Sequence, residues 1–377
     1  MKVLYSCLSQ SWGGMEMFTI DAVLLLLKRN IKTELICYPE SKIENEAKQK
    51  GIITHAVKAN GYFEPSAVFK IKKILNAGNF DLVHTQASKD LWSLVPTLNL
   101  SSKKIPLIMT KQMGSFIVKK DYLHKRLYSR VDKAFAISKV IEKNLIETTP
   151  LSPDKITIIH NGVDINRFSP ENKNRNKIRA EFNISENELL LGMTARFTPG
   201  KGHEEFLIAA KTISKQFNNV KFLFVGEPSR GEIEYAEKIY KLSKDYDLEN
   251  KVIFTGFRSD IPDILAALDV FVFPSHAEAF GISLAEAMAA GKASVASGSD
   301  GPLDIIDDEV NGLFFETGNA EDLTNKLILL IKNPSLRSKL SEQARIKAVK
   351  DFDIEKLTDK AIAHYEKLIM QKRSLTI

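Results

Sequence analysis

Two stretches of the chain carry residue types suited to an anionic, hydroxyl-rich ligand. The first runs from Gly192 to His203 and places Arg196 and Lys201 on one loop between an apolar strand and a helix. Arginine offers a planar fork to phosphate oxygens, and lysine offers a point charge. Seven residues separate Gly192 from Gly200, and Gly202 follows the lysine, so this is not a Walker-type phosphate loop. The second stretch runs from Pro274 to Gly291. Its backbone N–H groups around Phe280, Gly281 and Ile282 open a helix and can point at a phosphate, assisted by the helix dipole. Glu278 precedes that helix, and Glu286 lies just over one turn inside it. A carboxylate accepts paired hydrogen bonds from vicinal hydroxyls, so the two acids suit a sugar and a ribose. The plain alternatives are solvated cations, a capping acid and a solvated helix face. Glu286 stands on an otherwise Ala/Met face, which weighs against the last.

Weaker signals surround these. Gly13-Gly14 follows the first strand and precedes the first helix, where backbone amides can approach an anion. No G-x-G-x-x-G is present, so it is not a dinucleotide fingerprint. A glycosidase pair is the rival reading of two acids, but a hydrolase of neutral glycosides needs no Arg/Lys anion clamp. Asp245-Tyr246-Asp247 has metal-binding spacing yet ends an amphipathic helix rather than a strand. No H-E-x-x-H, paired-cysteine or G-x-S-x-G motif appears. Cys7 and Cys37 are too few for a disulfide framework or a four-ligand zinc site and read as buried thiols in a reducing cytosol.

The elements that must position these residues alternate regularly. The 377 residues suffice for two large domains or three smaller ones, and 44% hydrophobic with 27% charged residues is an ordinary globular balance. Strands are expected at Val3–Leu8, Thr33–Cys37, Leu82–His84, Pro106–Met109 and Val131–Ile137. They alternate with helices at Met15–Arg29, Val68–Ala77, Lys89–Leu98 and Lys139–Glu147, Pro96 bending or ending the third. Polar residues 165–180 read as a hinge. A second series follows, with strands at Leu189–Met193, Lys221–Val225, Lys251–Phe254, Val270–Phe273 and Ala293–Ala296. Such alternation implies an α/β class with two doubly wound parallel sheets. The expected organisation is an N-terminal Rossmann-like domain at 1–165, a second at 166–353, and a final helix at 354–377 packing back on the first. Ligands of such sheets bind at the carboxyl ends of strands, and a cleft between two domains is a natural site. No apolar block near the start approaches the ~20 residues of a membrane helix, and no signal peptide is recognisable.

Taken together, these residues resemble the retaining nucleotide-sugar glycosyltransferases of the GT-B fold, group 1 (family four) type. The resemblance runs nearly end to end. It includes Gly13-Gly14-Met15-Glu16, Asp81-Leu82-Val83-His84, Ala136-Ile137-Ser138, Ile159 to Asp164, Arg167-Phe168-Ser169-Pro170, Arg196…Lys201-Gly202, Phe224-Val225-Gly226, Thr255-Gly256 and Glu278-x₇-Glu286. It implies a catalytic set of Arg196, Lys201 and Glu278: the two cations hold the donor diphosphate in place of a metal, and Glu278 contacts the transferred sugar. Backbone at Phe280, Gly281 and Ile282 would take the distal phosphate, Glu286 the ribose, and Gly256-Phe257-Arg258 the nucleobase. Gly13 and Gly14 would shape the donor–acceptor junction. His84, Lys89, Lys111 and Gln112 are the acceptor-side candidates. Many relatives carry histidine where Gln112 stands, and glutamine cannot titrate near neutrality, which favours a specificity role there. No cofactor and no metal are implied; the nucleotide sugar is substrate. A GT-B epimerase or phosphorylase and a non-catalytic nucleotide-sugar binding module are the competing readings. The acid pair disfavours the epimerase, and the intact charged set disfavours the module.

The net charge of +6 is too small to argue for nucleic acid, but it divides into +10 for residues 1–160 and −4 for the rest. In 101–130, Lys103, Lys104, Lys111, Lys119, Lys120, Lys125, Arg126 and Arg130 face one acid, Asp121, with Phe116, Ile117, Tyr122 and Leu123 interleaved. Such a stretch reads as a patch for an anionic membrane surface. The expected setting is the cytoplasmic leaflet, with a lipid-linked or oligosaccharide acceptor of a bacterial surface glycan such as lipopolysaccharide core, O-antigen or capsule.

Overall fold

The structure is a computed structural model that describes residues 1–59, 62, 64–172, 174–229 and 231–374. The chain divides into two units: Met1–His160 with Glu355–Ile377, and Asn161–Ile354. Each is built on a parallel sheet. In the first, β1 (Lys2–Cys7), β2 (Lys32–Cys37), β3 (Ile53–Ala56), β4 (Leu82–Thr85), β5 (Leu107–Lys111), β6 (Lys133–Ala136) and β7 (Ile156–Ile158) lie in the order β3-β2-β1-β4-β5-β6-β7. In the second, β8 (Leu189–Thr194), β9 (Val220–Val225), β10 (Val252–Phe254), β11 (Val270–Phe273), β12 (Ala293–Ser297) and β13 (Leu313–Phe315) lie in the order β10-β9-β8-β11-β12-β13.

The central strands are continuous apolar runs because helices cover both faces of a parallel sheet. All four residues of β11, Val270 to Phe273, are buried. Both sheets reverse their strand order once, between β1 and β4 and between β8 and β11. These switch points open crevices beyond the carboxyl ends of the strands.

The final helix, Ile354–Ser374, buries Tyr365 and Ile369 in the first unit's core with Val3, Tyr5 and Leu35. Arg29 at the end of the first helix pairs with Glu355 and Asp359 at 2.6 Å each. Packing of one apolar stripe, fixed by ion pairs at its edge, joins 354–374 to the N-terminal sheet across the intervening chain.

The hinge expected at 165–180 is corrected. These residues belong to the second unit, and Arg175–Glu181 is a helix with Ile178 buried. Arg175 and Arg179 both pair with Asp269, at 2.8 and 3.3 Å, and donate to Ala267 O. The run looked like a linker because its charges are neutralised by a residue ninety positions away. The helix Lys42–Gln49 and strands β3 and β13 were not foreseen. β3 is a four-residue edge strand with no buried residue and β13 has three residues, too short for a periodic signal. Pro96 does not end its helix, which spans Leu91–Asn99. No helix among the described residues is long and apolar enough to cross a membrane.

Candidate active site

In the second unit, the switch point between β8 and β11 brings the two singled-out stretches together. The loop after β8 carries Arg196 and Lys201; the loop after β11 carries Glu278. Lys201 Nζ lies 2.5 Å from Glu278 Oε1, with 25% and 21% of the two side chains exposed. His276 N donates to Gly200 O at 2.8 Å, which ties the loops by their backbones. Gly202 has φ +77°, and a Cβ there would stand 2.2 Å from Pro274 O. Only glycine lets the two loops approach this closely.

Arg196 is 59% exposed and sits 3.5 Å from Glu232. The Thr198 hydroxyl, then the Ser229 amide and Arg196, hold Glu232 below the usual carboxylate range. Glu232, which orients Arg196, carries no sequence signal because it lies thirty-six residues away.

The helix Ile282–Ala289 starts from Gly281 in the left-handed conformation, with Phe280 buried behind it. Its first N–H groups have no intrahelical partner by construction, so Gly281 and Ile282 present donors and a positive dipole end. Gly301 is a second residue that sequence reading passed over. Its N–H donates to Glu278 O at 3.0 Å, and a Cβ there would stand 2.3 Å from Phe280 O. It is the backing on which the Glu278–Phe280 backbone rests. Burial pushes the Glu286 carboxyl up to about 7, against an opposing pull from Arg167.

Gly256 accepts from Gly226 N at 3.0 Å, and Phe257 is 68% exposed. Arg258 is otherwise disposed than a base contact requires. Its guanidinium pairs with Glu181 at 2.5 Å and with Asp260 at 2.7 Å, which raises its pKa further. Its side chain thus clamps the 175–181 helix, while Phe257 beside it stands exposed.

In the first unit, Gly13 caps the helix Gly14–Lys28 with extended backbone at φ −168°, and a Cβ on Gly14 would meet nothing within 4 Å. Backbone strain does not require either glycine; Gly14 borders open space, and a Cβ on Gly13 would only touch Glu16 Oε2 at 3.6 Å. His84 is corrected from acceptor contact to core residue. Its Nδ1 lies 2.6 Å from Tyr365 Oη and its Nε2 2.8 Å from Thr110 Oγ1, and burial lowers its pKa to about 3. Gln112 is buried, with its amide donating to Gln86 Oε1 at 3.0 Å.

Lys89 is exposed and rims a cavity of about 370 Å³ with Leu8, Gln10, Met15 and Asp90. The cavity lies just beyond β1 and β4, at that sheet's switch point. Asp90 accepts from Ser6 Oγ (2.7 Å), Thr85 Oγ1 (3.0 Å) and Leu8 N (3.3 Å), and burial raises its pKa to about 6. Lys111 ends β5 and is buried.

The basic patch 103–130 is also revised. Arg130 is turned inward onto Asp132 at 3.0 Å, and Lys103 donates to Asn79 at 2.6 Å. The exposed residues beyond β5 are apolar, Met113, Phe116, Ile117, Val118, Tyr122 and Leu123, with exposed Lys120, Lys125 and Arg126 among and after them, while Lys104 lies before β5 at the strand's other end. Among the described residues no group of three or more His, Cys, Asp or Glu could hold a metal ion. Both cysteines are buried and free, their thiols pushed up to about 12 by burial.

The loops after β8 and β11 thus bring Arg196, Lys201, Glu278 and the start of the 282–289 helix to one switch point. Residues 174–347 match the family described as glycosyl transferases group 1, and residues 12–167 match glycosyltransferase family 4. The chain belongs to the group 1 glycosyltransferases of the GT-B fold.

Two curated relatives are similar over most of their length. One is the UDP-Gal:alpha-D-GlcNAc-diphosphoundecaprenol alpha-1,3-galactosyltransferase of Escherichia coli, 26% identical over 81% of this chain and 80% of that protein. The other is the N,N'-diacetylbacillosaminyl-diphospho-undecaprenol alpha-1,3-N-acetylgalactosaminyltransferase of Campylobacter jejuni, 27% identical over 80% and 81%. A glycosyltransferase structure from Rickettsia africae shares the fold, with TM-score 0.89 and 23% identity over 98% of each chain.

Proposed function

We propose that this glycosyltransferase moves a sugar, with retention and without a metal, from a nucleotide-diphosphate donor to a hydroxyl of a lipid-diphosphate-linked glycan of the bacterial surface. The observation that carries the reading is the convergence of Arg196, Lys201, Glu278 and the 282–289 helix N-terminus at one switch point. Arg196 and Lys201 bind the diphosphate and stabilise the charge that develops as it leaves. Gly281 and Ile282 amides take the distal phosphate. Glu278 exchanges Lys201 for hydroxyls of the transferred sugar, and Glu286 accepts from the ribose. The acceptor hydroxyl attacks the face from which the diphosphate departs, and the departing phosphate oxygen takes its proton. No side-chain nucleophile is needed, and the anomeric configuration is kept.

The first unit receives the acceptor. The two curated relatives that act on diphosphoundecaprenol-linked sugars support an acceptor of this class, and the apolar patch at 113–123 with its cationic flanks supports attachment to the cytoplasmic leaflet. Each lysine or arginine near such a surface contributes on the order of 1 kcal/mol.

Thermal shift with UDP-, GDP- and ADP-sugars identifies the donor, because a bound ligand raises melting by mass action. NMR of the product then reads the anomeric configuration, with and without EDTA. An inverted product, or a rate abolished by EDTA, refutes the mechanism. Sedimentation with anionic vesicles at low and high salt tests membrane attachment; negligible binding in both refutes it.

A further inference from the structure

We propose that Lys111, Lys119 and Ser88 form an anion site in the first unit that holds a phosphate of the acceptor. The inference rests on the glycosyl-transfer reading for its ligand class and on the following geometry for its place.

Lys111 is 8% exposed, and its ammonium makes no ion pair and no hydrogen bond with any described residue. The charge that bears on it is that of Lys119, a second cation. Among the described residues the Lys119 ammonium donates to the neutral Ser88 Oγ alone, at 3.3 Å. Enclosing most of a lysine side chain without a counter-charge is costly even where the ammonium still meets water, and a like charge nearby adds to the cost. Lys111 is accordingly pushed down to about 8, and Lys119 is also lowered. The nearby acid is already committed: Asp90 is filled by Ser6, Thr85 and Leu8. Two cations within electrostatic reach of each other, neither paired with an acid among the described residues, are balanced when a bound anion supplies the charge.

The surroundings indicate which anion. Ser88, Lys89 and Asp90 form one short turn, against which β5, the strand that ends at Lys111, packs. Ser88 faces Lys119, while Lys89 and Asp90 line the 370 Å³ cavity. Lys111 and Lys119 bracket the exposed apolar residues Met113, Phe116, Ile117 and Val118. The chain thus sets an apolar segment, a cation pair and a polar cavity side by side. A lipid diphosphate bearing a sugar has the same sequence of chemistries.

The test uses the full chain and neutral phosphatidylcholine vesicles doped with polyprenyl diphosphate, with polyprenol as the uncharged control. At about 0.15 M salt, wild-type protein should sediment with the diphosphate vesicles and not with the polyprenol ones. K111M/K119M should bind about tenfold more weakly or worse, a charge-assisted contact being lost at each position. K201M, at the donor site, should bind the vesicles like wild type. Methionine removes an unpaired buried charge at near-constant volume, so the double variant should melt no lower than wild type.

Soluble inorganic pyrophosphate, titrated in the K201M background, separates the phosphate from its lipid. Lysine-dependent binding of pyrophosphate without vesicle retention supports the site and rejects a lipid source. Equal retention of wild type and K111M/K119M overturns the proposal. If sugar transfer is never observed but binding still depends on Lys111 and Lys119, the site stands and the reading of function fails.

Discussion

Replacing Lys201 by alanine separates the stability of this protein from its chemistry. The Lys201–Glu278 pair is short, at 2.5 Å, but about a quarter of each side chain meets water. A pair that wet contributes about 0–1 kcal/mol to folding, so melting should hardly move. The catalytic cost is larger. A charge-assisted hydrogen bond to the departing diphosphate contributes about 1.5–3 kcal/mol, so kcat/KM should fall by about 10- to 150-fold. The lost lysine also leaves the Glu278 carboxylate unpaired where the diphosphate must lie. Glu278→Gln in the Lys201→Ala background should therefore cost less than it does alone, with a coupling of about 0.5–3 kcal/mol. The assay is steady-state transfer from the identified donor for wild type, each single variant and the double variant. Unchanged kcat/KM in Lys201→Ala refutes the diphosphate role. Losses that add to within about 0.5 kcal/mol refute the idea that the pair opens for donor.

Glu286 should leave a pH signature. Its folded pKa of about 7 lies above the unfolded value near 4.5, so stability is fully present below pH about 4.5 and is lost as pH rises towards 7. Glu286→Gln should flatten that slope, by about 1–3 kcal/mol between the two ends; melting curves across this range read it, and an unchanged slope refutes the assignment. Gly202→Ala should lower stability by about 1–3 kcal/mol, because both its φ and the 2.2 Å approach to Pro274 O forbid a Cβ, and activity should fall with it; wild-type melting would show that the loops part freely. Arg258→Ala should destabilise the second unit by at most about 1–2 kcal/mol, two part-exposed pairs contributing about 0–1 kcal/mol each, without changing which nucleotide base is preferred, since its guanidinium is spent on Glu181 and Asp260; a switched base preference would restore it to the donor site.

The sequence by itself determined the two doubly wound sheets and the donor loop set. Continuous apolar runs alternating with helical periods admit little else, and Arg196, Lys201, Glu278 and Glu286 lie on short loops or a helix start whose local geometry follows from nearby residues. Tertiary structure decided which charges are available. Arg175 and Arg179 fall in a stretch that reads as a hinge, Arg130 in one that reads as a basic patch and Arg258 in one that would border a nucleobase, yet each is neutralised by acids or carbonyls that the fold delivers, some from distant positions. His84 read as a site residue until Tyr365, 281 positions away, occupied its ring. Lys111 read as one cation among eight, and only packing shows it buried, unpaired and beside Lys119. Spacing along a chain records what a residue can do; burial and the opposite charge that folding brings, or withholds, decide whether it is left to do it.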